Sequence, residues 1–225
     1  LSLDGGGMRG IIPATVLEYV ENKIIEITNN PNVRIADYFD LVAGTSTGGI
    51  LSAFYLTPSK TLFKEDPISK YKASEALEFY SKYGYKIFNA SKNFSWFGLR
   101  QLFNAAQYNP KGLEKILHKE FQYLNLKDLL KPCIITTYNL QNKNAFFFSS
   151  REPMAKNREF YVKDVLRSTS AAPTYFPPAF IENLANQKQM INIDGGVFAN
   201  NPAMCAYSES RATDFGAISY PSAKD

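Results

Sequence analysis

A chain of 225 residues with 45% hydrophobic side chains carries enough apolar material for one sizeable core, so neither disulfide staples nor a structural metal is needed for folding. Its only cysteines, Cys133 and Cys205, have no Cys-x-x-Cys or other ligand spacing, which argues against structural zinc, and the formal net charge of +4 is too small to define a partner by itself. No linker or repeat divides the chain, and no stretch reaches the roughly 20 apolar residues of a membrane span. We expect one domain over residues 1–225, soluble in the cytoplasm or peripheral to a membrane. The opening on Leu1, without an initiator Met, reads as a fragment or processed form cut at one or both ends, whose targeting signal, a secretory one included, would have lain upstream.

Leu1-Ser2-Leu3 reads as the end of a buried strand, and Asp4-Gly5-Gly6-Gly7-Met8-Arg9-Gly10 as a glycine-rich turn into a helix. Ile12, Val16, Leu17, Val20, Ile24 and Ile27 then recur at helical spacing, and the helix should end near Asn29-Asn30-Pro31. The glycine turn has two chemical readings. Gly5-x-Gly7-x-x-Gly10 fits a dinucleotide fingerprint, with Asp37 near the place of a ribose-binding acid. Alternatively, consecutive residues without Cβ atoms let several backbone N–H groups converge on one oxygen, as in an oxyanion hole.

The second glycine turn is Gly44-Thr45-Ser46-Thr47-Gly48-Gly49, between the apolar runs Phe39 to Ala43 and Ile50 to Leu56. A strand that breaks at Gly-x-Ser-x-Gly and continues as a helix fits a nucleophile elbow: Gly44 and Gly48 let the backbone turn sharply enough to expose the Ser46 hydroxyl. Strand, glycine turn, helix, strand, elbow and helix argue for a parallel sheet covered by helices.

Residues 79–113 contain Lys82, Lys86, Lys92, Arg100 and Lys111 and no acid, a local charge of +5, interleaved with ten aromatic rings. The mixture suits a solvated cationic face over core rings, an anionic membrane surface, or single-stranded nucleic acid. Residues 110–121 read as a helix with Leu113, Ile116, Leu117 and Phe121 inward, which puts the single histidine, His118, on its polar face. Pro132 to Leu140 and Ala145 to Ser150 read as adjacent strands, Tyr161 to Ser170 as a helix, and Met190 to Ile193 as a strand delivering Asp194-Gly195-Gly196.

A nucleophilic serine on a parallel sheet usually takes a histidine base that lies after an acid in the chain. Here no histidine comes after Asp194. Asp194 itself is the best candidate base: it ends an apolar strand, and burial by Ile191, Ile193, Val197 and Phe198 could raise its pKa toward the working range.

Asp4-Gly-Gly-Gly-Met-Arg-Gly10, Gly44-Thr-Ser-Thr-Gly-Gly49 and Asp194-Gly-Gly196 occur in that order, and together they resemble the blocks of the patatin-like phospholipases. Thr169-Ser-Ala-Ala-Pro-Thr-Tyr-Phe-Pro-Pro178 resembles a fourth block, and Asn200-Asn-Pro202 is similar to the segment just after the family's aspartate. The resemblance implies a three-layer α/β/α sandwich with a mostly parallel central sheet and calcium-independent hydrolysis of lipid acyl esters by a Ser-Asp dyad. It makes Ser46 the nucleophile, Asp194 the general base, and Gly5, Gly6, Gly7, Met8 and Arg9 the oxyanion hole, with Asp4 a structural partner of the loop. It implies no cofactor and no metal. The expected partners are a phospholipid or other acyl-lipid substrate, a membrane surface met through a variable basic and aromatic insert or lid at 79–113, and an activating protein factor, with no nucleic acid. Against this stand a non-catalytic lipid-binding module on the same fold and a nucleotide-binding domain.

Overall fold

In the computed structural model, which describes residues 1–59, 68–88, 108–150, 159–212 and 215, a short strand β1 (Ser2–Leu3) leads through a 3-10 turn over Gly7–Gly10 into helix α1 (Ile11–Thr28). Helix α1 ends at Asn29, whose φ of 51° lies in the left-handed region that asparagine tolerates better than most side chains. Its fully buried face is narrow, comprising Ala14, Leu17 and Glu21, while Ile12, Val16 and Ile27 of the apolar set stand exposed. Strand β2 (Val42–Gly44) and helix α2 (Thr47–Leu56) come next. All ten residues of α2 are buried, the polar Thr47 and Ser52 included, because β1 and β2 cover one side and other helices the rest.

Helix α3 (Ala73–Phe88) packs on α1 and α2. Helix α4 (Pro110–Phe121) starts at an Asn109 cap whose side chain accepts the Lys111 amide, and it buries Leu113, Ile116, Leu117 and Phe121 as the spacing predicts. Phe54 of α2 is the knot of this layer: its ring centroid lies 4.8 Å from that of Phe79 in α3 and 5.7 Å from that of Phe121 in α4. Such pairs are worth about 0.5–1.5 kcal/mol beyond their area. Glu21 ties three segments together: one carboxylate oxygen accepts the Ile35 amide at 3.0 Å and the other the Ala73 amide at 2.8 Å. Desolvation nevertheless raises its pKa, outweighing the two hydrogen bonds.

The remaining elements are β3 (Cys133–Asn139), β4 (Asn144–Ser149), α5 (Val162–Thr169), β5 (Ala179–Glu182), β6 (Gln189–Asp194), a one-turn α6 (Gly196–Ala199) and α7 (Ala203–Ala212). Strands β1, β2 and β3 run parallel, and this is the parallel part of the expected sheet. Strand β4 forms an antiparallel hairpin with β3, and β6 and β5 join antiparallel, so the sheet is mixed. Helices α2 and α5 pack together against the sheet, and α7 lies against β1, β2 and β3 from the other side, giving a helix, sheet, helix sandwich.

The register of β3 fixes where its neighbours end. One edge of β3 pairs with β4 from Ile134 to Asn139, so both other neighbours must share the opposite edge. There β2 reaches Gly44 opposite Ile135, and β6, running the other way, reaches Asp194 opposite Thr137. Two strands thus end head to head on one edge of β3, with Thr136 between them, two residues or about 7 Å of strand apart.

The described part of residues 79–113 belongs to the body of the fold. Phe79, Tyr80 and Ile87 are buried in α3 and Leu113 in α4, with Lys82 and Lys111 at the surface. A lid or insert within 89–107 falls outside the described residues. Among the described residues no helix is long and apolar enough to cross a membrane.

Candidate active site

Helix α2 can start this close to β1 because residue 48 is glycine: a Cβ there would lie 2.1 Å from the Leu3 carbonyl oxygen. The turn from β2 into α2 therefore completes within three residues, and Ser46 takes up the difference with φ 55° and ψ −123°. A non-glycine residue is held there only when its surroundings over-determine it, at a cost of order 1–3 kcal/mol. One restraint is explicit: the Ser46 amide donates to Thr169 Oγ1 at 2.8 Å. The Thr45 amide continues the β1 pairing by donating to Leu3 O at 3.1 Å.

Asp194 arrives from the opposite direction. Its amide donates to the Ala171 carbonyl at 3.0 Å, two residues beyond Thr169, so a single buried segment holds the backbones of Ser46 and Asp194. Asp194 is 5% exposed and Ser46 9%. The Gly196 amide donates to Asp194 Oδ1 at 2.7 Å, and Ser46 lines the same cleft beside Asp194. Burial raises the Asp194 pKa above the ordinary 3.8, and the polar influence of Ser46 and Gly196 only partly opposes it. A carboxyl group so placed binds a proton more readily than a solvated aspartate does.

Thr136, between the two strand ends, locks the junction. Thr45 Oγ1 donates to Ala199 O at 2.7 Å, so its contact with Thr136 Oγ1, also 2.7 Å, must be one in which Thr136 donates. The same threonine explains glycine at 195, where a Cβ would sit 2.0 Å from Thr136 Oγ1. Thr169 and Ala171 belong to the Thr169 to Pro178 block singled out in the sequence, but nothing there assigns them these hydrogen bonds, and Thr136, a threonine in a β-rich run, carries no signal beyond its residue type.

The glycine loop meets this pair from the other side, and the structure narrows the expected set of donors. The Gly5 amide is taken by Asn200 O at 3.0 Å and the Arg9 amide by Gly6 O at 3.0 Å, so neither is available to an oxyanion. The amides of Gly6, Gly7 and Met8 have no acceptor among the described residues. Gly6, Gly7 and Ser46 line one open cleft together with Asp194, Gly196 and Asn200. Gly44 and Gly48 lie at the elbow as expected, and Asp4 accepts a long 3.5 Å hydrogen bond from Asn201.

A second cavity of about 440 Å³ opens from the same loop and Ser46. Its far walls are apolar, formed by Ile50, Ile87, Leu113 and Phe176, with Tyr108 and Tyr175 beside them. Such a space takes a hydrocarbon chain more readily than a charged nucleotide.

Two residues of the rival readings are placed elsewhere. Asp37 accepts the Arg34 amide at 2.8 Å and caps the 3-10 turn before β2, which removes the acid a nucleotide site needs. His118 is exposed on α4 with its ring edge-on to Tyr123, and lines neither cavity. Among the described residues no group of three His, Cys, Asp or Glu side chains could hold a metal ion.

The family model described as "Patatin-like phospholipase" matches residues 1–207. The chain is 37% identical over 218 residues to Patatin-like protein 2 of Oryza sativa subsp. indica and of Arabidopsis thaliana, covering 93% of this chain and 52% and 51% of theirs. It is 36% identical over 214 residues to Patatin-T5 of Solanum tuberosum, covering 92% of this chain and 52% of that one. A further relative from Solanum tuberosum, 36% identical over 213 residues, bears the name Probable inactive patatin-3-Kuras 1. The chain thus spans about half the length of the relatives it matches.

Proposed function

Since the chain belongs to the patatin-like phospholipase family, we propose that it is a lipid acyl hydrolase of the phospholipase A type, working through Ser46 and Asp194 without calcium. The reading rests on one observation above all: β2 and β6 end head to head on the same edge of β3, bringing a strained serine against a buried aspartate.

Ser46 Oγ attacks the ester carbonyl carbon while Asp194 takes the hydroxyl proton, and the carbonyl electron pair moves onto oxygen. The Gly6, Gly7 and Met8 amides stabilise that oxyanion; one such donor is typically worth about 2.7–4 kcal/mol in the transition state. The tetrahedral intermediate collapses, the C–O bond to the alcohol breaks, and Asp194 returns the proton to the leaving oxygen. Water then attacks the acyl-serine with Asp194 again as base, releasing fatty acid and restoring Ser46. The acyl chain occupies the 440 Å³ cavity during both steps.

The test is fatty-acid release from phospholipid vesicles in chelator by wild type, Ser46→Ala and Asp194→Asn. Release by wild type alone supports the dyad, and a requirement for added calcium refutes the metal-free part. The name of the inactive relative motivates a second reading, a lipid-binding module without turnover. Covalent labelling of wild type, but not Ser46→Ala, by a fluorophosphonate would refute it even if an activating protein were needed for full turnover.

A further inference from the structure

The first turn of the chain opens onto a face that the core does not use. Met8 and the α1 residues Ile12, Val16 and Tyr19 succeed one another at intervals of four, four and three, so they form one stripe along α1, and each is between 41 and 64% exposed. The stripe begins at the cavity itself, because Met8 is both part of the cavity wall and part of the surface. Two further exposed apolar residues border the two openings onto Ser46: Tyr175 on the larger cavity and Val197 on the cleft beside Asp194. Three separate segments therefore place apolar side chains at the mouth, and α1 extends that surface over three more turns.

Scattered exposed apolar residues are ordinary, but a continuous band joined to a ligand opening is not. Arg9, exposed and also lining the larger cavity, puts a cation in the band beside the opening. Apolar side chains around an opening, with a guanidinium among them, match the layering of a bilayer surface: rings and aliphatic groups enter the head-group region while an arginine meets lipid phosphate.

We infer that this band, Met8, Ile12, Val16 and Tyr19 with Tyr175 and Val197, is the surface by which the protein settles on a phospholipid bilayer, mouth downward. The inference rests on the acyl-hydrolase reading, since it is the need to draw a chain from a bilayer that gives the band its use. The band differs from the described part of residues 79–113, where Phe79 and Tyr80 are buried and Tyr83 and Tyr108 half-buried. Docking in this orientation lets an acyl chain pass from membrane to cavity without crossing water.

The experiment uses the full-length protein with vesicles of phosphatidylcholine, with and without phosphatidylglycerol, scored by flotation. Ile12→Glu combined with Val16→Glu changes two exposed residues that line neither opening, and urea midpoints verify that the variant is folded. Met204→Glu with Tyr207→Glu on α7, equally exposed, serves as control. The expected result is at least a tenfold loss of vesicle association and vesicle hydrolysis for the α1 pair, with the rate on a dissolved short-chain ester unchanged and the α7 pair like wild type. Unchanged flotation of the α1 pair, or an equal loss in the α7 pair, overturns the inference. So does a wild-type dimer that the α1 pair converts to monomer while vesicle association persists, which would assign the band to a second copy. Flotation requires no turnover, so a wild type that floats but neither hydrolyses the dissolved ester nor is labelled at Ser46 by a fluorophosphonate refutes the catalytic reading instead.

Discussion

The amide of Ser46 donates to the hydroxyl of Thr169 at 2.8 Å, across 123 positions of sequence. Thr169 is fully buried at the end of α5, so nothing else can satisfy that amide if the hydroxyl is removed. Thr169→Val, nearly the same size, should lower stability by about 1–3 kcal/mol, the usual cost of orphaning a buried donor, measured as a shift in urea midpoint. It should also lower kcat, because the elbow loses a restraint on its strained conformation. Thr169→Ser should restore both; a serine variant as poor as the valine one would mean that only the methyl packing matters.

Asp194 carries the opposite energetic sign. Its folded pKa lies above the ordinary 3.8 because burial outweighs the polar influence of Ser46 and Gly196. The native state therefore holds the proton more tightly than the unfolded chain. Its contribution favours folding below 3.8 and is lost as pH rises to the raised value. At neutral pH the ionised carboxylate opposes folding. Asp194→Asn, which keeps an oxygen for the Gly196 amide, should be more stable than wild type by roughly 0.5–2 kcal/mol at pH 7, with the gap closing in acid. Thermal melts across pH check the sign.

The same group sets the acidic limb of activity. As a base, Asp194 must be ionised in the free enzyme, so kcat/KM should rise with pH through a pKa above 3.8. A profile that stays flat down to 3.8 would assign the base elsewhere.

Gly48 tests the packing that creates the elbow. A methyl group at 48 meets the Leu3 carbonyl oxygen at 2.1 Å, and that atom is backbone in β1. Gly48→Ala should cost about 3 kcal/mol by overpacking, and any protein that does fold should be inactive, because α2 and Ser46 must shift together.

The apolar cavity should decide which chains fit. Ile87, buried in α3, forms part of its wall. Ile87→Phe should lower hydrolysis of long-chain relative to short-chain esters of one alcohol by tenfold or more, since each methylene accommodated in a hydrophobic pocket is worth about 1–3 kcal/mol. Equal effects on both chain lengths would place the acyl chain outside this cavity.

Most local elements, though not α3 or β5, were legible in the sequence, as were Ser46 and Asp194 as candidates. The glycines around Ser46, the apolar run of α2, the face of α4 with His118 outward and the strand before Asp194 each leave a pattern within a dozen residues, because period and turn chemistry are local. Three matters were decided only by tertiary structure. That β2 and β6 share an edge of β3 is a matter of strand order, which no local period encodes. That Gly5 spends its amide on Asn200 depends on where a segment nearly 200 residues away returns. That Ile12 and Val16 face outward, while charged Glu21 faces in, depends on which side of α1 meets α3, and hydrophobicity alone gives no such direction. Sequence thus supplied the chemical groups, and their convergence came from long-range packing, because a hydrogen bond such as Ser46 to Thr169 exists only once distant parts of the chain have been brought together.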